Sequence, residues 1–431
     1  MIAIAHRGRL VLEQAFGQAA LLRRIPLTPR HRFRVASHSK SFTAAAIMRL
    51  REQRKLRLDS PTGDYVDGLH PRIAEVTVAQ LLSHSAGIIR DGTDAGQWQD
   101  RRPFLDAREL RAALSAAPTI EPNFRFKYSN HGFGLAGLVI EAVTGERYGA
   151  WVQREIIAKA GLAETTPDMP TARGAAMARG HSGKTLLGRR IVVPGDQSTR
   201  VLAPATGFVS TAGDLARFFA QLDPAASRSA LSTASRREMT RRQWRDPHGS
   251  LVRHYGLGIM SGNVGDWEWY GHGGAFQGFI SRTVMLPGRA LAVSIVTNAI
   301  DGLANQWSDS VLHIQHRFAR EGAPAGRNRD WGGRWWTLWG AVDLVPMAEK
   351  ILVAAPALLT PFIDASEIEV ASKTRGRIVL ANGFANHGED ARRVLSRGGK
   401  PSELWLGGTK WLPEAPLARE ISNRYAGAKR R

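Results

Sequence analysis

Between Phe42 and Met48 the chain reads Phe-Thr-Ala-Ala-Ala-Ile-Met. At 3.6 residues per turn this run is apolar or small on every face, the pattern of a helix with no solvent side. Such a helix has to be covered all round, so the rest of the chain must supply layers about it. The material is there: 431 residues, 43% of them hydrophobic, enough for one large domain or two to three ordinary ones.

The residues leading into this helix carry the first chemistry. Ser37 and Lys40 stand three apart at its start, and positions i and i+3 share a helix face. A lysine held against apolar packing loses hydration and its pKa falls. It can then accept a serine proton, while the free amides of the first turn steady a negative oxygen. Alone the pattern is weak, because Ser-x-x-Lys is expected by chance about once in a chain of this size. A capping serine and a surface lysine satisfy it equally well.

Composition excludes some functions. There is no cysteine, hence no disulfide, thiol or Cys-zinc chemistry. No apolar run approaches the roughly 18 residues of a membrane span. The formal net charge is +21, yet the basic residues are scattered in pairs such as Arg23-Arg24, Arg101-Arg102 and Arg241-Arg242. Without a basic block or an aromatic-basic stripe, this reads as general surface charge and against nucleic-acid binding. The segment Gly180-His-Ser-Gly-Lys-Thr185 carries Ala178 where a phosphate loop needs its first glycine, and no apolar strand precedes it.

Along the chain, residues 2–16 alternate as a hairpin turning at Arg7-Gly8. After helix 37–54, Pro61 marks a break. Helices are predicted over 76–83, capped by Thr77, and over 106–116, 131–144 and 148–161. Residues 165–206 are loop-rich, Thr211 caps a further helix, and another lies near 235–242. Strands follow from Tyr255, notably Phe279–Leu286 and Leu291–Thr297 joined at Pro287-Gly288, then a helix over 304–320. The domain reading is 1–320, with a helical subdomain at about 60–205, a linker at 321–331, and a β-rich domain at 332–431. Trp331, Trp335, Trp336 and Trp339 cluster at the start of that last domain and are expected as its core.

Two further patterns stand with Ser37 and Lys40. Tyr-x-Asn occurs once, as Tyr128-Ser129-Asn130, and His-x-Gly occurs four times. Of those four, His272-Gly273-Gly274 is expected at the head of a hairpin, where glycine lets substrate lie against a strand. In this order and spacing the three motifs resemble the class C β-lactamase, D-aminopeptidase and DD-carboxypeptidase group of serine hydrolases. Phe33–Thr43, Leu81–Gly87, Ala205–Leu215 and the strands from Met285 to Asn298 resemble it too. The likeness covers roughly residues 2–320. A class A β-lactamase fits less well, since Ser-Asp-Asn and Lys-Thr-Gly would be required.

The resemblance implies an α/β (α+β) fold: an antiparallel sheet of β-lactamase/transpeptidase type flanked by helices, with a helical subdomain, plus a small C-terminal β domain. It implies Ser37 as nucleophile, Lys40 and Tyr128 sharing its proton, and the amides of Ser37 and Ala275 as oxyanion donors. Asn130 would orient Lys40 and bind a substrate amide. His272 would extend the proton network near Tyr128 or meet an anionic group, and Gly274 would permit close approach. His38, His84 and His131 read as structural. No metal or cofactor is implied. The expected partner is a small-molecule or peptide substrate, a D-amino-acid peptide, peptidoglycan fragment or ester; a β-lactam-binding module that acylates and turns over slowly is the alternative. Such proteins usually begin with a helix before the first strand, whereas this sequence starts in the strand, so a start further upstream with a targeting signal stays open. As it stands the sequence reads as cytoplasmic.

Overall fold

The computed structural model describes residues 1–425 except 185–187, 247–252, 359–360, 364 and 383–385. The chain forms two compact units, Met1–Ser308 and Asp309–Arg431.

The first unit is organised on an antiparallel sheet of eight strands: β1 (Ile2–His6), β2 (Arg9–Gln14), β3 (Trp244–Asp246), β4 (Arg253–Tyr255), β5 (Met260–Val264), β6 (Trp267–Phe276), β7 (Phe279–Leu286) and β8 (Leu291–Thr297). Their order across the sheet is β2-β1-β8-β7-β6-β5-β4-β3. The first hairpin turns at Arg7 and Gly8, both at positive φ, as a two-residue turn between twisted strands requires. β1 lies on β8 with Ile2 opposite Ile295, so the two ends of this unit close one sheet.

The all-apolar helix is α1 (Ser39–Glu52), buried from Ser39 through Met48. Phe42 explains its depth: its ring stacks on Phe218 at 3.8 Å and on Phe208 at 4.4 Å. Burying one such side chain contributes about 1.5–3 kcal/mol. Beside α1 runs α2 (Asn130–Thr144), buried from Asn130 through Ile140. Its small residues permit close approach. A Cβ on Gly137 would lie 2.3 Å from Pro204, and one on Gly134 would lie 2.8 Å from Leu110. This lets the segment Ala203–Thr206 press against both helices. Thr43 donates to the Pro204 carbonyl at 2.7 Å, and the Phe208 amide donates to Ser39 Oγ at 3.0 Å.

The local signals hold in detail. Thr77 and Gln80 form a reciprocal capping box at Val78–Leu82, and Asp106 and Glu109 another at Ala107–Leu114. Thr211 caps Ala212–Gln221. The helix expected over 148–161 breaks into Tyr148–Val152 and a π-helical stretch, Gln153–Ala158. Gly180–His181 pairs with Val192–Val193, a short ladder rather than a phosphate loop; Thr185 lies outside the described residues.

The second unit is an antiparallel meander: β9 (Gly333–Thr337), β10 (Gly340–Met347), β11 (Lys350–Ala354), β12 (Ser366–Val370), β13 (Arg375–Leu380), β14 (Asp390–Leu395), β15 (Pro401–Leu406) and β16 (Thr409–Trp411), hydrogen-bonded in that order. It closes on itself: the Trp336 amide donates to Leu412 O at 2.8 Å, and the Leu412 amide returns to Trp336 O at 3.0 Å. Closure removes both sheet edges and makes a barrel. Within the segment expected as linker, Gly326–Trp331 forms 3₁₀ turns and Trp331 is fully buried. Trp331 and Trp335 are core, but Trp336 is only half-buried and Trp339 is 90% exposed. The expectation of four core tryptophans therefore fails at the hairpin between β9 and β10, whose tip carries Trp339 into solvent.

Candidate active site

Ser37 is presented by a short irregular segment between strand and helix. Phe33–Arg34 pairs with Val209–Ser210, and the chain then turns through Ala36 at φ 47°. A left-handed alanine is uncommon, and the surrounding packing, with Ala36 fully buried, has to hold it. A single 3₁₀ turn, Ala36–His38, follows before α1 begins. Ser39 Oγ donates back to Ala36 O at 2.5 Å and fixes this entry. Ser37 is left partly exposed while its neighbours on both sides are buried.

Lys40 is wholly buried, with three oxygens about its amine. Nζ lies 2.7 Å from Asn130 Oδ1, 2.9 Å from Ala205 O and 3.3 Å from Ser37 Oγ. Burial holds its pKa well below the usual lysine range; Asp91 opposes this and Arg90 adds to it. A neutral amine has two N–H bonds and one lone pair. The two shorter contacts take the two N–H bonds, which leaves the lone pair for the Ser37 hydroxyl.

Tyr128 completes the centre. Its hydroxyl lies close enough to Ser37 for that side chain to affect its titration, and its ring lies 4.7 Å from Lys40 Nζ. Burial pushes the phenol above its usual range, although Ser37 and Arg90 pull the other way. The phenol is accordingly protonated while the neighbouring amine is driven towards neutrality.

Asp91, which the sequence reading passed over, holds this group in place. Asp91 Oδ1 accepts from Asn130 Nδ2 at 2.7 Å and from Trp98 Nε1 at 2.9 Å, and Oδ2 pairs with Arg90 Nε at 3.0 Å. Because the carboxylate takes Nδ2, the Asn130 carbonyl oxygen faces Lys40. The loop carrying Asp91 is stitched to the Tyr128–Asn130 turn: the Asn130 amide donates to Arg90 O at 2.9 Å, and Ser129 Oγ donates to Ile89 O at 2.7 Å. His84, at φ 60°, accepts the Ser129 amide on Nδ1 at 3.1 Å. Its ring lies 4.2 Å from that of Tyr128. Burial, with Lys40 and His272, holds His84 well below the usual histidine range, so it packs as a neutral ring.

The third motif lies along β6. A Cβ on Gly274 would stand 2.1 Å from Val35 O, so only glycine allows β6 to lie this close to the chain leading into Ser37. His38 ties this segment to β7, with Nδ1 3.0 Å from Val35 O and Nε2 3.0 Å from Thr283 Oγ1. Ala275 follows Gly274 and is exposed. His272 is placed differently from expectation. It sits within β6, not at a hairpin head, because the turn to β7 falls at Gln277-Gly278. It is buried, with Nε2 2.9 Å from Tyr255 Oη and Nδ1 2.7 Å from Gly273 O. The Tyr255 ring in turn meets the Tyr128 ring edge-on at 6.5 Å. Thus Ser37, Lys40, Tyr128 and Asn130 come together, while His272 hydrogen-bonds Tyr255, whose ring in turn meets that of Tyr128. Among the described residues no three His, Asp or Glu side chains gather as a metal-binding group, and no helix is long and apolar enough to cross a membrane.

Comparison with known proteins shows what the chain and its fold are similar to. Penicillin-binding protein 4 of Amycolatopsis lactamdurans is 27% identical over 281 residues, 62% of this chain and 72% of that one. The octameric penicillin-binding protein homologue from Pyrococcus abyssi superposes with a TM-score of 0.66 at 21% identity, over 96% of this chain and 95% of that one. The D-amino acid amidase of Ochrobactrum anthropi SV3, in complex with L-phenylalanine amide, gives 0.61 at 25% identity, over 73% and 92%. Residues 1–309 match the Beta-lactamase family. The chain therefore belongs to the Beta-lactamase family, whose members are serine hydrolases.

Proposed function

We propose that this protein hydrolyses small amides or esters through an acyl-enzyme on Ser37. The observation that carries the reading is the Lys40 amine, buried and donating to Asn130 and Ala205 while its remaining position faces Ser37 at 3.3 Å. In the first step the Ser37 proton passes to Lys40 Nζ as Oγ bonds to the substrate carbonyl carbon. The amides of Ser37 and Ala275 receive the oxyanion; losing one such donor typically costs about 10²–10³ in rate. Tyr128 gives its proton to the leaving group and regains one from the Lys40 ammonium, so the pair titrates as a unit. Water then attacks the ester, its proton returning through Lys40 and Tyr128, and Ser37 is released. Asn130 keeps one N–H beyond its bond to Asp91, available to a substrate amide. Gly274 admits the substrate along β6. His272 supports Tyr255 behind Tyr128.

The acyl donor we favour is a D-amino-acid amide or peptide, or a small ester; the similarity to a D-amino acid amidase supports the amide side. Incubation with D-alanine p-nitroanilide, p-nitrophenyl acetate and a fluorescent β-lactam tests the reading. Turnover of the anilide or ester that is lost in Ser37→Ala is the expected result. Stable β-lactam labelling with no turnover of either substrate identifies a binding module instead, a reading that the similarity to a penicillin-binding protein keeps in view.

A further inference from the structure

The C-terminal barrel contains a cavity of about 420 Å³, within the size range of small-ligand sites. Its walls follow from strand alternation. The inward faces that pack Leu344, Ile351 and Leu404 into the core carry Val342, Val353 and Leu406, two residues along, into the cavity wall. The barrel is filled beside Trp331 and Trp335 and left open towards the tip of the β9–β10 hairpin. An eight-stranded barrel is wide enough to hold one small ligand.

The mouth has a distinct chemistry. Trp339 stands there 90% exposed and Leu358 51% exposed, although each costs free energy in water. Trp411 forms part of the wall, and its indole N–H is buried without a partner among the described residues. Glu389 is the single charged residue lining the cavity among the described residues, and it is exposed. An apolar interior, indole faces and one carboxylate with no lining cation together favour a positive ligand end over a negative one.

We propose that this cavity binds a small amphiphile with an apolar body and an ammonium end. The body fills the space between Val342, Val353, Ile378 and Leu406, and the cation rests between Trp339 and Glu389. The site is separate in sequence and in fold from Ser37.

Isothermal titration of the full chain with n-octylammonium and with n-octanoate, below aggregating concentrations, tests it. Saturable binding of octylammonium at one site is expected, about tenfold tighter than octanoate. Glu389→Gln should remove that preference, and Ser37→Ala should leave binding unchanged. Val353→Phe fills the cavity and should abolish binding. If that variant does not fold, Leu358→Trp, at an exposed rim position, should weaken binding at least tenfold. The proposal is overturned if the wild type shows no saturable binding, or if octanoate binds as tightly as octylammonium. Unaltered binding by a Val353→Phe or Leu358→Trp protein that melts like the wild type also overturns it, as does loss of binding in Ser37→Ala.

Discussion

Asp91 Oδ1 accepts the Asn130 side-chain amide at 2.7 Å, and through it the carboxylate decides which end of Asn130 meets Lys40. Removing the charge from this contact frees Asn130 to turn. A hydrogen bond to a charged group is worth about 1.5–3 kcal/mol, so Asp91→Asn should lower kcat/KM for p-nitrophenyl acetate roughly 10- to 100-fold. The carboxylate also raises the Lys40 pKa against burial. Without it the amine stays neutral to lower pH, and the acidic limb of kcat/KM should move towards acid. A pH profile of the variant reads both effects.

Tyr128 is held protonated beside Ser37, which suits it to give a proton to a departing nitrogen. A p-nitroanilide needs that proton and a p-nitrophenolate does not. Tyr128→Phe should therefore slow anilide hydrolysis by about 10²–10⁴, the usual scale of general acid catalysis, and slow the nitrophenyl ester far less. The ratio of the two kcat/KM values is the measurement.

Three histidines are buried in the neutral form. Burial holds His38 at about 3 and places His84 and His272 well below the usual range. Each folded-state pKa is lowered, so the unfolded chain binds the extra protons. The stability at stake is fully present above about 6.5 and is lost as pH falls from there towards the folded-state values. For His38 the loss at pH 5 is about 2 kcal/mol. The melting temperature of Met1–Ser308 in the intact chain should fall steadily between pH 7 and pH 5, and His38→Gln should flatten part of that slope.

Gly274 occupies a position where a methyl group would lie 2.1 Å from Val35 O. Gly274→Ala should push β6 away from the Ser37 turn. A misplacement of about 1 Å costs on the order of 10²-fold in rate, so kcat should fall by about that factor. Circular dichroism should still show a folded sheet.

Which parts of this site the sequence reveals depends on the range of the contact. Ser37 and Lys40 meet because three residues bring side chains round one helical turn, and that spacing is visible in the sequence. The caps at Thr77, Asp106 and Thr211 are equally local. Tyr128 and Asn130 become legible only as a motif standing in order with Ser-x-x-Lys. Asp91 is invisible: it follows an arginine in a loop with no periodicity, and its role arises from the fold bringing it beneath Asn130. His272 was read towards the cleft because glycines surround it, yet the turn falls further on and Tyr255 covers the ring. In the barrel, the β-rich character of 332–431 is legible from its short apolar runs between turns. β10 was hidden by Pro346 and β14 by its arginines, since neither reads as an ordinary strand. Trp339 carries no local sign that it leaves the core, because exposure is decided by where the hairpin ends.

Rapid mixing of the protein with p-nitrophenyl acetate, acid quench and peptide mass analysis tests acyl transfer at Ser37 most directly. The acetyl group should appear on the peptide containing Ser37, at up to one group per chain. It should form faster as pH rises through the lowered Lys40 pKa and be absent in Ser37→Ala. Rapid ester hydrolysis with no acetyl on that peptide, or with rates retained in Ser37→Ala, would contradict it.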